Sequence, residues 1–147
     1  MERFLLVDDD PSITDVLRRV LESMGHPVIL HNDPLAAAQE TDFDLVLTDF
    51  MMPNLNGIEL LGVLKAKRPD AVRMLITAAN DFKVAIDAVN RGEVFRIIGK
   101  PWQLQDLKFG IQQAVDYYRL VKENRRLAKE LAERNQRLAS LNAVLEE

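Results

Sequence analysis

Short apolar runs alternate with stretches of helical periodicity over the first hundred residues. Phe4-Leu5-Leu6-Val7 predicts a first strand, and Asp10-Pro11 behind it reads as an N-cap with a first-turn proline. Ile13, Val16, Leu17, Val20, Leu21 and Met24 then recur at helical spacing until Gly25. Val28-Ile29-Leu30 predicts a second strand, and Asp33-Pro34 opens a short alanine-rich helix. A third strand is expected from Phe43 to Leu47, ending at Thr48-Asp49. After it come a loop with Pro53 and Gly57 and a helix turning Ile58, Leu61 and Leu64 inward. The fourth strand runs from Val72 to Ile76 and ends at Thr77; the helix after it presents Phe82, Ala85, Ile86 and Val89 on one face and stops at Gly92. Val94 to Ile98 form the fifth strand, which ends at Lys100-Pro101.

Five strand–helix alternations imply right-handed parallel crossovers and a sheet covered on both faces. Strands one, three and four read as apolar runs suited to the centre, whereas strand two is short and strand five carries Arg96, so both suit edges. The expected fold is therefore α/β: a doubly wound five-stranded parallel sheet in the flavodoxin-like order 2-1-3-4-5.

From Gln103 onward nothing interrupts a helix. Leu104, Leu107, Ile111, Ala114, Val115 and Tyr118 are placed to cover the sheet. Beyond Tyr118 the apolar period becomes a heptad. Tyr117, Asn124, Leu131, Leu138 and Leu145 share one seam position, and Leu120, Leu127, Arg134 and Leu141 share the other. At about 1.5 Å per residue such a helix runs about 60 Å, well past strands of roughly 17–20 Å, so its second half projects and needs a partner. Residues 1–118 are expected to form the globular unit and residues 119–147 a coiled-coil extension. That extension is either a dimerising stalk or, as we favour, a linker to an effector that is absent here.

Composition narrows the chemistry. Among 147 residues there is no cysteine, and only His26 and His31 carry imidazoles, which excludes thiol chemistry and disfavours multi-histidine metal sites and Ser-His-Asp hydrolases. No segment has the apolar length of a membrane span or the form of a signal peptide, so a cytoplasmic location away from membranes is expected. The net charge of −4 conceals an acidic body and a basic stretch over 119–137. In that stretch Arg and Glu interleave along the heptads as on exposed coiled-coil positions, so nucleic-acid binding is not the expected role.

Ligands of open parallel sheets gather at the carboxyl ends of the strands, where the strand order reverses. The residues leaving those ends are Asp8 and Asp9, Asp49, Thr77 and Lys100. Three neighbouring carboxylates repel unless a cation intervenes, and all-oxygen ligation suits Mg²⁺ or Mn²⁺. Lys100 and Thr77 add an ammonium and a hydroxyl for the oxygens of a phosphoryl group arriving at Asp49, whose carboxylate can act as nucleophile. Taken singly, each residue has a plainer role: a helix N-terminal acidic cluster, a turn former, an ordinary strand end.

Together, Val7-Asp8-Asp9-Asp10-Pro11, Asp49 followed by Phe50-Met51-Met52-Pro53-Asn54-Leu55-Asn56-Gly57, Thr77-Ala78 and Lys100-Pro101-Trp102 resemble the receiver domain of bacterial response regulators over about residues 2–118. The resemblance implies a two-component phosphorelay module with Asp49 as phosphoacceptor. It also implies Mg²⁺ held by Asp9 and Asp49 directly, by Asp8 through water, and by the backbone carbonyl of Met51. Thr77 and Lys100 would contact the phosphoryl oxygens, and Lys100–Pro101 would be cis. The phosphoryl donor would be a sensor histidine kinase or phosphotransfer protein. Phosphorylation would tighten a homodimer through the fourth helix, fifth strand and fifth helix, together with the C-terminal helix. Such a module is a signalling domain, catalysing only its own phosphorylation and dephosphorylation. The lysine-proline-tryptophan run and the Leu- and Asn-containing helix also look like receivers joined to cyclic-di-GMP enzymes or sensor kinases.

Two positions depart from the family pattern. Ile97 stands where receivers usually carry Tyr or Phe, which puts the aromatic switch in doubt; Phe95, two positions back on the same face, is the candidate substitute, although a core role is the stronger expectation for it. Met51 and Ala79 flank the approach of hydrolytic water without a hydrogen-bonding side chain, which predicts a long-lived acyl phosphate. Two other classes of function compete. Asp8-x-Asp10 resembles the phosphatase motif of the haloacid dehalogenase family, although its later acidic pair is missing and there is little room for a cap domain. A non-phosphorylated interaction module is the other.

Overall fold

The computed structural model describes the backbone of residues 2–146 and the side chains through residue 143, so Leu145 of the predicted seam lies outside the described side chains. Its elements alternate as β1 (Phe4–Val7), α1 (Pro11–Ser23), β2 (Val28–His31), α2 (Pro34–Ala37), β3 (Leu45–Asp49), α3 (Gly57–Lys67), β4 (Val72–Ala78), α4 (Phe82–Asn90), β5 (Arg96–Lys100) and α5 (Leu104–Glu146). The strands are all parallel in the order β2-β1-β3-β4-β5, as the apolar ranking of the strands predicts.

The two-residue period of the strands divides the core. Phe4, Leu6, Leu45, Leu47, Met74, Ile76 and Ile98 face α1 and α5, where Leu17, Leu21, Leu107, Ile111 and Tyr118 meet them. Leu5, Val7, Val46 and Leu75 face the other way, onto Leu60, Leu61 and Leu64 of α3 and Ala85 and Ala88 of α4. Each helix start follows from local chemistry. Asp10 caps α1 and Asp33 caps α2, each followed by proline, and Asn56 forms a reciprocal capping box with Glu59 at α3.

Several expected boundaries and faces shift. Phe43 is fully buried but precedes β3, and Val94 is buried ahead of β5. In α3 the buried residues are Leu60, Leu61 and Leu64, with Ile58 half-buried. In α4 Ala85 and Ala88 are buried in the core and Val89 is half-buried against it, while Phe82 and Ile86 are 45% and 40% exposed. Small residues let α4 lie close to the sheet, and its bulky apolar side chains turn outward. Leu104, expected to cover the sheet, is also exposed.

The polar breaks at the starts of β3 and β4 serve as anchors. Arg73 on β4 donates to the carbonyls of Ala71 and Glu93, and burial lowers its pKa. Asp44, just ahead of β3, accepts the Tyr118 hydroxyl at 2.8 Å, and burial followed by that hydrogen bond pushes the Tyr118 pKa up to about 12. Next to it, Arg119 makes two 2.8 Å hydrogen bonds to the carboxylate of Glu2, and Arg125 pairs with Asp70. These three contacts hold α5 where it leaves the body. From Arg119 to Ala143 every described side chain is exposed except the half-buried Val121. Leu120, Leu127, Leu131, Leu138 and Leu141 are between 48% and 60% exposed along the predicted seam.

Candidate functional site

At the carboxyl end of the sheet four strands deliver polar side chains to one hollow. Asp8 and Asp9 follow β1, Asp49 ends β3, Thr77 lies near the end of β4 and Lys100 ends β5. Ligand oxygens of Asp8, Asp9 and Asp49 all lie within 4.8 Å of one another. The Lys100 ammonium is 2.9 Å from Asp49 Oδ1 and 3.8 Å from Asp8 Oδ2. Asp8, Asp49 and Thr77 are buried, and Asp9 is exposed at the lip. Thr77 sits beside Gly99 in the ladder, one pair below Ala78 and Lys100, and its hydroxyl donates to the carbonyl of Ala78 at 3.2 Å. The Lys100–Pro101 peptide is cis.

Three carboxylates share the hollow with a single ammonium, so it is negative when all are ionised. Burial first, and then the neighbouring Asp49, push the Asp8 pKa up to about 6 against the opposing hydrogen bond from Asp10. Burial alone would lower the Lys100 pKa, but the hydrogen bond and charge of Asp49, with Asp8 and Asp9, hold it above the usual lysine value. Asp8 Oδ1 accepts the Asp10 N–H at 3.0 Å, whereas Asp8 Oδ2 is buried without a hydrogen-bond partner. An orphaned carboxylate oxygen in an all-oxygen, negatively charged hollow fits a small hard divalent cation such as Mg²⁺.

The third aspartate of the triplet is used differently. Asp10 Oδ1 accepts from Ser12 N at 3.0 Å and Ser12 Oγ at 2.7 Å, capping α1 rather than joining the hollow. The plain reading of the acidic run as a helix cap therefore holds for Asp10, while Asp8 and Asp9 lie beside Asp49 at the hollow.

Two residues outside the predicted set shape the hollow. A Cβ on Gly57 would lie 2.2 Å from the main-chain oxygen of Asp49, so α3 can begin against the end of β3 only because residue 57 has no side chain. Its N–H donates to Phe50 O at 2.8 Å, and Phe50 N donates to Ile76 O at 2.9 Å, which ties the turn to β4. Asn32 is the second, and its amide reaches the Asp8 carbonyl at 2.8 Å. In the sequence Gly57 reads as a loop glycine that closes the motif after Asp49, and Asn32 carries no signal.

Phe95 does not stand in for an aromatic at position 97. Its ring stacks on Tyr117 with centroids 4.6 Å apart, at the start of β5 and far from Thr77, and Ile97 is half-buried against the core. Met51 is 62% exposed on the loop after Asp49. Among the described residues no helix is long and apolar enough to cross a membrane.

Comparison with known proteins gives this arrangement its context. The chain is 36% identical over 135 residues to the C4-dicarboxylate transport transcriptional regulatory protein DctD of Pseudomonas aeruginosa, covering 90% of this chain and 29% of that one. It is 33% identical over 121 residues to the DNA-binding transcriptional regulator NtrC of Proteus hauseri, covering 80% of this chain and 25% of that one. The chain thus spans less than a third of the length of these relatives. Among solved structures, one titled adenylate cyclase from Rhodopirellula baltica superimposes with a TM-score of 0.80 at 35% identity, covering 87% of this chain and 97% of that one. A response regulator receiver domain protein from Clostridium thermocellum gives 0.75 at 27% identity, with coverage of 82% and 99%. The family model of the response regulator receiver domain matches residues 4–112, from the first strand into α5 and across every strand end that lines the hollow; the chain belongs to the receiver domains of two-component response regulators.

Proposed function

We propose that residues 1–118 are a phosphoacceptor unit that takes a phosphoryl group on Asp49 from the phosphohistidine of a sensor histidine kinase or phosphotransfer protein, and that residues 119–147 carry the resulting change outward. The observation that carries this reading is the gathering of three carboxylates and one ammonium at the ends of three different strands, β1, β3 and β5. Asp8, Asp9, Asp49 and the backbone carbonyl of Met51 would hold Mg²⁺, or Mn²⁺ in its place. When bound, the cation supplies positive charge for the oxygens of the transferring group.

In the transfer step, an Asp49 carboxylate oxygen forms a bond to phosphorus while the phosphorus–nitrogen bond breaks and its electron pair leaves on the imidazole. Asp49 attacks as an anion, so no base has to remove a proton first. Lys100, 2.9 Å from Asp49 Oδ1, orients that carboxylate and afterwards meets a phosphoryl oxygen. Thr77 exchanges its carbonyl acceptor for another phosphoryl oxygen. Charge neutralisation and alignment of this kind provide most of what phosphoryl transfer requires.

The output side rests on exposed apolar surface. Phe82, Val84, Ile86, Phe95 and Tyr117 lie open on α4, just ahead of β5 and on α5, and the seam leucines continue along the projecting helix. A second copy of the chain would cover both, which makes a homodimer switched by phosphorylation the best-supported output. Such a unit is a signalling module rather than an enzyme that turns over a substrate. The phosphatase reading loses support because Asp10, the second acid of its motif, is spent on capping α1.

Acetyl phosphate should label the chain once, only with Mg²⁺, and not at all in Asp49→Ala. Steady release of phosphate from a monoester would instead favour a haloacid dehalogenase-like phosphatase, and no labelling would favour a non-phosphorylated interaction module. With Met51 and Ala79 unable to orient a water, the label should persist for minutes or longer in buffer. Loss within seconds, followed by intact-mass spectrometry, would refute this expectation.

A further inference from the structure

We propose that Asn32 is a positioning residue for the acidic hollow, fixing the peptide plane from which Asp9 departs; this rests on the reading that Asp8 and Asp9 hold a divalent cation. The pairing of β1 with β2 ends at Val7 and His31, with Asp8 N donating to His31 O at 3.3 Å. There β2 turns away into α2, whose cap is Asp33. The main-chain ladder has run out, and the side chain of Asn32 supplies the next donor: Nδ2 reaches Asp8 O at 2.8 Å. The same nitrogen donates to Thr14 Oγ1 at 3.1 Å, and Thr14, 1% exposed, donates onward to Pro11 O at 3.1 Å. One amide thus joins the end of β1, the first turn of α1 and the end of β2, and both of its hydrogens are used.

The consequence falls on Asp9. The Asp8 carbonyl and the Asp9 N–H belong to one planar peptide unit, so a grip on the Asp8 oxygen orients the plane that carries Asp9. Asp9 depends on this, because its exposed carboxylate makes no hydrogen bond or ion pair among the described residues. Asp8 has its own support from Asp10 N–H. Outer groups that orient metal ligands typically matter ten-fold or more for affinity.

An amide-resolved NMR titration with MgCl₂ tests this, and the same spectra report whether each variant is folded. Asn32→Ala should weaken Mg²⁺ binding by about ten-fold while the amides of Leu107 to Val115 keep their shifts. Asn32→Asp is the sharper variant. It keeps the shape, loses both donors and adds a negative charge that alone would tighten cation binding. Weakening in Asn32→Asp supports geometry, whereas unchanged or tighter binding overturns the proposal. An Asn32→Ala affinity within two-fold of wild type likewise overturns it. If wild type itself fails to bind Mg²⁺, or binds equally well as Asp9→Asn, the metal-site reading falls instead, which separates the two failures.

Discussion

Gly57→Ala should slow acceptance of a phosphoryl group about a hundred-fold, although it alters no charged or polar side chain. The added methyl would lie 2.2 Å from Asp49 O and 2.8 Å from Leu75 Cδ1. Neither neighbour can yield cheaply. Asp49 is paired with Ile76 in the ladder, and its carbonyl also accepts the Thr48 hydroxyl at 3.0 Å. Leu75 is fully buried in the centre of the sheet, and α3 is pinned by Leu60, Leu61 and Leu64. Relief must come from moving the start of α3 away, breaking the Gly57–Phe50 hydrogen bond, or from displacing Asp49. Overpacking of this kind costs about 1–3 kcal/mol, which a domain stable by roughly 5–15 kcal/mol survives. A displacement of about 1 Å at the nucleophile costs about a hundred-fold in rate. The measurement is the initial rate of labelling by acetyl phosphate, with circular dichroism to establish that the variant is folded. A wild-type rate in a folded Gly57→Ala protein would show that the close approach does not position Asp49.

Arg134→Leu should act in the opposite sense, tightening self-association by about a hundred-fold. In a parallel pair of α5 helices, Arg134 meets its own copy at a seam position otherwise held by Leu120, Leu127 and Leu141. Two like charges there oppose the seam, and Asn124 adds a second polar layer that favours register over strength. Burying a leucine contributes about 1.5–3 kcal/mol, reduced by side-chain ordering of about 0.5–1.5 kcal/mol. For two copies the net is about 3 kcal/mol, or about two powers of ten in Kd. Sedimentation equilibrium of the unphosphorylated chain reads this directly. An unchanged Kd would mean that the heptad stripe is not where two copies meet.

The strand order and the strand-end residues were legible in the sequence because both follow from one-dimensional patterns. Apolar runs rank strands by burial, and a polar residue ending such a run must emerge at the carboxyl edge, which is how Asp49 and Lys100 could be placed. What was not legible depends on distance across the fold. Periodicity says that Phe82 and Ile86 share a side of α4, but not whether that side faces core or solvent, and here the core takes the alanines. The proline after Asp10 marked that aspartate as a helix cap in advance, and Ser12 completes the cap. Gly57 matters because a Cβ there would meet the Asp49 carbonyl, and Asn32 through a 2.8 Å hydrogen bond to the Asp8 carbonyl; both contacts exist only in three dimensions.

The anchoring of α5 by Glu2, Asp44 and Asp70 makes the projecting helix a lever with a fixed fulcrum. Beyond Arg125 its arm is about 32 Å long at 1.5 Å per residue. A pivot of about 10° at the base would sweep the far end through about 5.5 Å, the rise of a full helical turn. Sub-ångström rearrangement around the strand ends can therefore become a displacement large enough to change which residues meet across the seam. Loosening the fulcrum would leave phosphate chemistry intact and silence its mechanical readout.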